Sequence, residues 1–152
     1  MTRNNSDLRV PQKSLYSTNE RTGILVLIVE DDLINQIVIK RFLEKRFDTI
    51  VTDSSDNVPE ILKSNKIDII LMDIAILGKM NGLELTSAIK RSSEFSHIPV
   101  IAVTAHVFEA DRVNALEAGC SNYLTKPFSQ QSLIDMIDDC LVSNGAKNAF
   151  IN

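Results

Sequence analysis

Short apolar runs alternate along this chain with longer segments in which apolar residues recur at helical spacing, and this alternation limits the folds open to it. Five runs are rich in β-branched and aliphatic residues, and the longer ones are nearly continuous in apolar character, which is typical of strands buried on both faces. The predicted strands are residues 24–29, 49–52, 67–72, 99–103 and 121–124. The predicted helices are residues 32–47, 57–64, 83–91, 108–118 and 130–141.

Strands that alternate with helices predict a parallel sheet that is covered by helices on both faces. For a domain of this length we expect an α/β fold with a five-stranded, doubly wound, flavodoxin-like sheet in the strand order 2-1-3-4-5. The first 22 residues are rich in Asn, Ser, Thr, Arg and Lys without sustained periodicity, which is typical of a flexible extension. We therefore predict an N-terminal extension (1–22), one folded domain (23–143) and a short C-terminal tail (144–152).

The composition argues against several functional classes. Apolar residues make up 44% of the chain and charged residues 24%, a balance that is normal for a globular protein. The net charge of -4 provides no electrostatic basis for direct nucleic-acid binding. No apolar run approaches the roughly 20 residues that cross a bilayer, and the N-terminus lacks the apolar core of a secretory signal. We therefore expect a cytoplasmic protein that does not insert into membranes.

Two acidic residues and the first predicted helix have local structural interpretations. Asp32 and Asp56 each stand at the start of a predicted helix, where a carboxylate accepts a hydrogen bond from a free backbone N–H, so both are predicted as N-caps. In the first helix, a stripe of apolar residues is predicted to face the core. This stripe consists of Val38, Ile39 and Phe42.

Chemically active residues follow four of the five predicted strands. They are Glu30 and Asp31 after the first strand, Asp73 after the third, Thr104 after the fourth and Lys126 after the fifth. In open α/β sheets the ligand site lies outside the carboxyl ends of the strands, where the strand order reverses. Because these four strands are neighbours in the predicted order, the sequence predicts that the five side chains gather at one edge of the sheet.

This set of residues predicts phosphoryl chemistry assisted by a metal ion. Clustered carboxylates repel one another, and a hard divalent cation relieves that repulsion. Oxygen ligands without His or Cys favour Mg²⁺, with Mn²⁺ as a second candidate. A carboxylate can act as a nucleophile and form an aspartyl-phosphate. The metal and Lys126 would neutralise the phosphoryl oxygens, and Thr104 would donate a hydrogen bond to one of them.

Four segments, LIVEDD, IDIILMD, PVIAVTA and SNYLTKPF, closely resemble the signature segments of response-regulator receiver domains. They occur at four strand ends in the same order, and the resemblance extends over residues 24–142. It implies a receiver fold and identifies Asp73 as the phosphoacceptor. It also implies that the metal is held by Asp73, Asp31, Glu30 and the backbone carbonyl of Ala75.

The resemblance implies further roles at the fourth and fifth strands. Thr104 and Lys126 would bind the phosphoryl group, and Thr104 would form a conformational switch with Tyr123. The Lys126–Pro127 peptide bond would be cis. One departure from the family pattern lies in residues 74–82: Leu77 stands where many receivers have proline, and the loop has an apparent extra residue. The path of this loop therefore does not follow from the resemblance.

Receivers accept the phosphoryl group from a phosphohistidine, so the implied donor is a histidine kinase or a histidine phosphotransfer protein. Leu33, Ile34 and Ile37 are apolar positions outside the predicted core stripe and next to the acidic residues, and we expect the donor to dock on them. The alternative is that this helix buries a wider face. The resemblance does not identify the downstream protein target.

The implied function is two-component signal transduction. A Mg²⁺-dependent phosphoryl transfer to Asp73 would change protein contacts on the face formed by the fourth helix, the fifth strand and the fifth helix. The chain would not be an enzyme, although it assists its own phosphorylation and dephosphorylation. Two alternatives are a degenerate receiver that acts only as an interaction module and an aspartyl-phosphate phosphohydrolase. The second alternative requires another acid two residues after the nucleophile, where this chain has Ala75.

Overall fold

A computed structural model describes residues 21–105 and 108–149, so most of the predicted N-terminal extension lies outside the described residues. The strands are β1 (Leu25–Val29), β2 (Asp48–Thr52), β3 (Ile69–Met72), β4 (Val100–Thr104) and β5 (Asn122–Thr125). The helices are α1 (Leu33–Leu43), α2 (Val58–Ser64), α3 (Gly82–Arg91), α4 (Glu109–Ala118) and α5 (Gln130–Ala149). No helix in these two ranges is long and apolar enough to span a bilayer.

Two helices end at positions that the sequence did not predict. Helix α1 ends at Leu43, because Arg46 and Phe47 turn their side chains into the protein at the entry to β2, although their spacing continues the helical pattern. Helix α5 continues past the end of its apolar pattern to Ala149, across the predicted boundary between domain and tail. A single Gly145 inside a helix costs only about 1 kcal/mol and does not stop it.

The five strands are parallel and lie in the order β2-β1-β3-β4-β5, which confirms the predicted topology. Val29 at the end of β1 is paired with Thr52 of β2 and with Met72 of β3. The backbone pairing continues one residue further, since the Glu30 N–H donates to the Thr52 carbonyl at 3.0 Å and the Asp73 N–H donates to the Val29 carbonyl at 3.0 Å. This register places the residues that follow β1 and β3 side by side.

The core has two layers, one on each face of the sheet. Alternate residues of β1 enter opposite layers, with Leu27 and Val29 on the side of α2 and α3 and with Val26 and Ile28 on the side of α1 and α5. Every second side chain of a strand points to the same face. Burial on both faces therefore explains why the strand sequences are apolar runs rather than alternating patterns.

The structure confirms one predicted cap and contradicts the other. Asp32 caps α1, and its Oδ1 accepts a hydrogen bond from the Asn35 N–H at 2.9 Å. Asp56 does not cap α2: it lies within a short 3₁₀ helix (Ser55–Asn57) that is capped by Ser54. The Asp56 carboxylate instead accepts a hydrogen bond from the Lys79 N–H at 3.0 Å, a partner that local sequence pattern does not reveal.

Helix α1 also buries less of its surface than the sequence predicted. Ile39 is buried and Phe42 packs against the core, but Val38 is 39% exposed and does not belong to the core stripe. Leu33, Ile34 and Ile37 are between 51% and 72% exposed, so the alternative that α1 buries a wider face is wrong. Four apolar side chains therefore remain on the surface of this helix.

Candidate functional site

The acidic residues at the ends of β1 and β3 form one cluster. Glu30, Asp31 and Asp73 each place a carboxylate oxygen within 4.8 Å of the others. Glu30 is only 1% exposed and Asp73 only 7%, whereas Asp31 is half-buried. The cluster arises because β1 and β3 are neighbours and end at the same edge of the sheet.

Lys126 reaches this cluster from the end of β5. Its Nζ lies 2.7 Å from Glu30 Oε1 and 3.1 Å from Asp73 Oδ2. Its backbone N–H donates to the Thr104 carbonyl at 2.8 Å, and the peptide bond that follows it, Lys126–Pro127, is cis. Burial alone would lower the pKa of Lys126, but the two carboxylates outweigh it and hold this pKa above its ordinary value. The ammonium group therefore carries its charge at neutral pH.

The two buried carboxyl groups differ in their affinity for protons. Burial, together with the neighbouring Asp73 carboxylate, raises the pKa of Glu30 to about 7, although Lys126 opposes the shift. Burial would also raise the pKa of Asp73, but the neighbouring Glu30 carboxyl, a hydrogen bond from the Ala75 N–H and the charge of Lys126 hold it below its ordinary value. The arrangement favours one further positive charge, a proton or a cation, between the two groups.

The donor set of this cluster suits a hard divalent cation. Glu30 Oε2 is buried and has no hydrogen-bond partner among the described residues. Mg²⁺ binds six oxygens at 2.0–2.1 Å, so its opposite ligands are about 4.2 Å apart. The carboxylate oxygens of the three acids lie within 4.8 Å of one another, which is close to this value. Water ligands or a small side-chain movement would complete the coordination shell of the ion. Glu30, Asp31 and Asp73 therefore fit the ion that the sequence predicted.

Thr104 and Tyr123 occupy adjacent strands on the same face of the sheet. Thr104 is fully buried at the end of β4, two residues after Ala102. Tyr123 is paired with Ala102 in the β4–β5 register and packs, half-buried, against the core layer on the side of α2 and α3. Burial and the nearby Asp111 raise the pKa of Tyr123, so its phenol is neutral at physiological pH. Side chains of residues 102 and 104 point to the same face, which places Thr104 and Tyr123 on a common side.

The loop between β3 and α3 follows a defined path in the structure. The Ala75 N–H donates to Asp73 Oδ1 at 3.0 Å, so the beginning of the loop orients the carboxylate directly. Ile76 is buried in the core and Leu77 points outward. At the end of the loop, a Cβ on Gly82 would lie 2.8 Å from Ile74 Cα and closer still to the Asp73 carbonyl oxygen. Only glycine allows α3 to begin this close to the backbone of Asp73 and Ile74.

Sequence reasoning missed the positional role of Gly82 and the partner of Asp56. The Asn81-Gly82 pair by itself indicates only a turn, and Asn81 caps α3 through a hydrogen bond from the Glu84 N–H at 2.9 Å. Gly82 closely approaches the backbone of Asp73 and Ile74, which lie at the other end of the same loop. No local pattern signals such an approach, and the only hint in the sequence is a glycine at the first position of a helix.

The chain matches the sequence profile of the family described as response regulator receiver domain over residues 26–138. Hybrid signal transduction histidine kinase I of Dictyostelium discoideum is 38% identical over 121 residues, 74% of this chain, but the match covers only 7% of that protein. The polar-differentiation response regulator DivK of Brucella ovis is 37% identical over 117 residues, which cover 76% of this chain and 94% of DivK.

Solved structures show the same fold. The receiver domain of sensor histidine kinase PA1611 from Pseudomonas aeruginosa PAO1, with a magnesium ion coordinated in its active-site cleft, is 29% identical and has a TM-score of 0.72, covering 79% of this chain and 98% of that one. A CheY-like receiver domain protein from Methanospirillum hungatei JF-1 has a TM-score of 0.74 at 22% identity, with 83% and 99% covered. The profile match, the DivK relative and the strand order agree, and the chain belongs to the response regulator receiver domain family of two-component signalling.

Proposed function

We propose that this receiver domain accepts a phosphoryl group on the carboxylate of Asp73 in a reaction that requires Mg²⁺. The observation that carries the proposal is the position of Lys126, whose ammonium group contacts both Glu30 and Asp73 inside the buried carboxylate cluster. A largely shielded lysine that contacts a nucleophilic carboxylate can neutralise incoming phosphoryl oxygens. Asp31 and the Ala75 carbonyl would complete the metal ligands with Glu30 and Asp73.

The residues of this chain would share the work of the transfer. A carboxylate oxygen of Asp73 attacks the phosphorus, the bond from phosphorus to the donor nitrogen breaks, and the electron pair of that bond leaves with the donor imidazole. The Ala75 N–H fixes the orientation of the carboxylate, and Lys126 contributes positive charge. A bound Mg²⁺ would partly neutralise the negative charge of the phosphoryl oxygens. Thr104 would donate a hydrogen bond from its hydroxyl to one of these oxygens.

The output of the switch would be a change at the α4-β5-α5 face. We propose that the hydroxyl of Thr104 moves toward the phosphoryl group and that Tyr123 shifts into the vacated space. This proposal is supported by the positions of Thr104 and Tyr123, which lie on the same side of the adjacent strands β4 and β5. Thr104 is fully buried, whereas Tyr123 is partly exposed. Such a change shifts an existing equilibrium between two packings of the face. The downstream partner would be a protein, and a cytoplasmic location stays a prediction.

The donor, a histidine kinase or a histidine phosphotransfer protein, would dock on the exposed apolar side chains of α1. Ile37→Glu is expected to slow phosphotransfer from a cognate donor at least tenfold, because a buried unpaired carboxylate costs an interface well over 1.4 kcal/mol. Phosphorylation by acetyl phosphate should stay unchanged, since a small donor needs no docking surface. Transfer rates measured with radiolabelled donor protein check this result.

The matched control for Ile37→Glu is Val142→Glu. Val142 is also an exposed apolar residue, at 70% against 51% for Ile37, but it lies on α5 rather than on α1. Equal slowing by both substitutions would mean that the donor does not use α1 specifically. Slower reaction of the Ile37 variant with acetyl phosphate would instead indicate damage to the site.

The proposed function is tested by incubating the protein with acetyl phosphate and separating the products on a phosphate-affinity gel. We expect a slower-migrating form with Mg²⁺ and none when the metal is chelated with EDTA, because the carboxylates then repel the incoming phosphoryl group. Mn²⁺ should restore the shift. If folded protein shows no shift with Mg²⁺ from either acetyl phosphate or a phosphohistidine donor, the chain is a degenerate receiver that acts only through protein contacts.

A further inference from the structure

The loops after β2 and β3 are joined to each other, although their strands are not neighbours. Strand β1 lies between β2 and β3, so these two strands are separated by about 10 Å, two strand spacings. Ser54 and Leu77 nevertheless form a parallel bridge, in which the Ser55 N–H donates to the Leu77 carbonyl at 3.0 Å. The loop after β3 therefore reaches across the carboxyl end of β1, which carries Glu30.

A second hydrogen bond reinforces this bridge. The Lys79 N–H donates to Asp56 Oδ1 at 3.0 Å, and the Asp56 N–H donates to Ser54 Oγ at 3.2 Å. Gly78 lies between the two contacts with φ +132°, which an L side chain rarely adopts. A Cβ there would also lie 3.1 Å from Ser54 Oγ, 3.2 Å from Asp56 Oδ1 and in collision with Ser55 Oγ. We call residues 54–56 and 77–79 together the loop clamp.

The loop clamp is connected at both ends to the carboxylate cluster. On the β3 side, the buried Ile76 anchors the loop, and the Ala75 N–H donates to the Asp73 carboxylate. On the β2 side, the Thr52 hydroxyl donates to the Ser54 carbonyl at 3.2 Å, and the Thr52 carbonyl accepts from the Glu30 N–H. Movement of the loop clamp would therefore change the positions of both buried acids, Glu30 and Asp73.

We propose that the loop clamp positions the carboxylate of Asp73 and the carbonyl of Ala75 for the metal, which makes Asp56 and Gly78 positioning residues of this site. The inference rests on the proposed function, because it concerns the same metal and the same acceptor. A free loop of this length samples many conformations, and a metal that binds it must order it. A clamped loop has already lost that entropy, so the ion binds more tightly.

Asp56→Ala in the full chain tests the clamp, because Asp56 is exposed and its loss leaves the core intact. In metal-free protein, we expect faster hydrogen–deuterium exchange in residues 74–82. By isothermal titration, we expect Mg²⁺ affinity to fall about three- to tenfold, the size of effect that follows the loss of one ordinary hydrogen bond, because Asp56 is exposed and water screens its charge. Asp56→Asn keeps an oxygen acceptor and should recover most of both properties.

Two further variants separate positioning from charge. Asp53→Ala removes the same charge from the same loop. The exposed Asp53 carboxylate forms no hydrogen bond with the described residues, so we expect a smaller change in Mg²⁺ affinity and none in exchange. Gly78→Ala keeps the Asp56 carboxylate but should disturb the clamp. As for Asp56→Ala, we expect faster exchange in residues 74–82 and weaker Mg²⁺ binding.

The possible outcomes distinguish this inference from the proposed function. Equal affinity losses in Asp56→Ala and Asp53→Ala, with unchanged exchange of residues 74–82, would overturn the clamp and leave Mg²⁺-dependent phosphorylation standing. Absence of Mg²⁺ binding by the wild-type protein would overturn both. A loss confined to Asp56→Ala and Gly78→Ala, with recovery in Asp56→Asn, would support both.

Discussion

Asp73→Asn is expected to reduce phosphorylation by acetyl phosphate below detection. The amide oxygen of asparagine is a weak nucleophile, so the aspartyl-phosphate cannot form. The substitution also removes one of the three carboxylates that fit the metal. The side chains of Asn and Asp have the same shape, and the change removes repulsion between two buried acids. We therefore expect the fold and its stability to be preserved while the shift on a phosphate-affinity gel is lost.

The matched control for Asp73→Asn is Asp53→Asn. Asp53 is an exposed acid near the same edge of the sheet, one residue after β2. The same chemical change there should leave the rate of phosphorylation within about a factor of two of the wild type, as for most surface substitutions. A retained, acid-labile shift in folded Asp73→Asn would show that another residue is the acceptor.

Asp138→Ala is expected to lower the free energy of unfolding by about 2–3 kcal/mol. The Arg46 side chain is 3% exposed and forms two hydrogen bonds with Asp138, at 2.9 and 3.3 Å. Its guanidinium also lies 5.2 Å from the centre of the Phe47 ring. Loss of the carboxylate leaves a buried charge without its partner, which costs about 3–5 kcal/mol when both groups are inaccessible. Asp138 is 30% exposed, so water can partly replace it and reduce the cost.

Urea denaturation followed by circular dichroism measures this effect, and the neighbouring residue supplies the control. Asp139 is exposed on the same helix, and Asp139→Ala should change the free energy of unfolding by no more than about 0.5 kcal/mol. The double variant Arg46→Met with Asp138→Leu should recover most of the stability, because apolar side chains can replace a buried ion pair. If the two alanine variants unfold at the same urea concentration, the pair contributes nothing measurable.

The positions of the site residues in the sequence were sufficient to predict that they meet. Glu30, Asp73 and Lys126 each follow an apolar run, and parallel strands end at the same edge of a sheet. Strands that are buried on both faces are apolar along their whole length, so they can be recognised in a single sequence. The contacts of 2.7 and 3.1 Å between Lys126 and the two acids agree with that prediction. The assignment of roles to these residues remains a proposal that phosphorylation experiments will test.

Local pattern was less informative for helix faces and caps. Val38 belongs to an apolar stripe by spacing, yet it is 39% exposed, because no element in residues 21–105 and 108–149 covers that part of α1. Asp56 has the sequence context of a cap, yet its carboxylate binds a backbone N–H contributed by residue 79. Both errors have one cause. Local sequence describes the neighbours of a residue along the chain, but other elements of the fold decide which side chains are buried and which backbone groups they bind.

The amino-acid sequence by itself determined the strand order, the two-layered core and the edge at which the acids, the threonine and the lysine gather, because these depend on hydrophobic periodicity and on residue type at strand ends. Only the tertiary structure decided the path of residues 74–82, the pairing of Ser54 with Leu77 and the close approach of Gly82 to Asp73. These contacts join segments that are distant along the chain. Their geometry depends on the packing of the whole domain, which no local pattern of residues encodes.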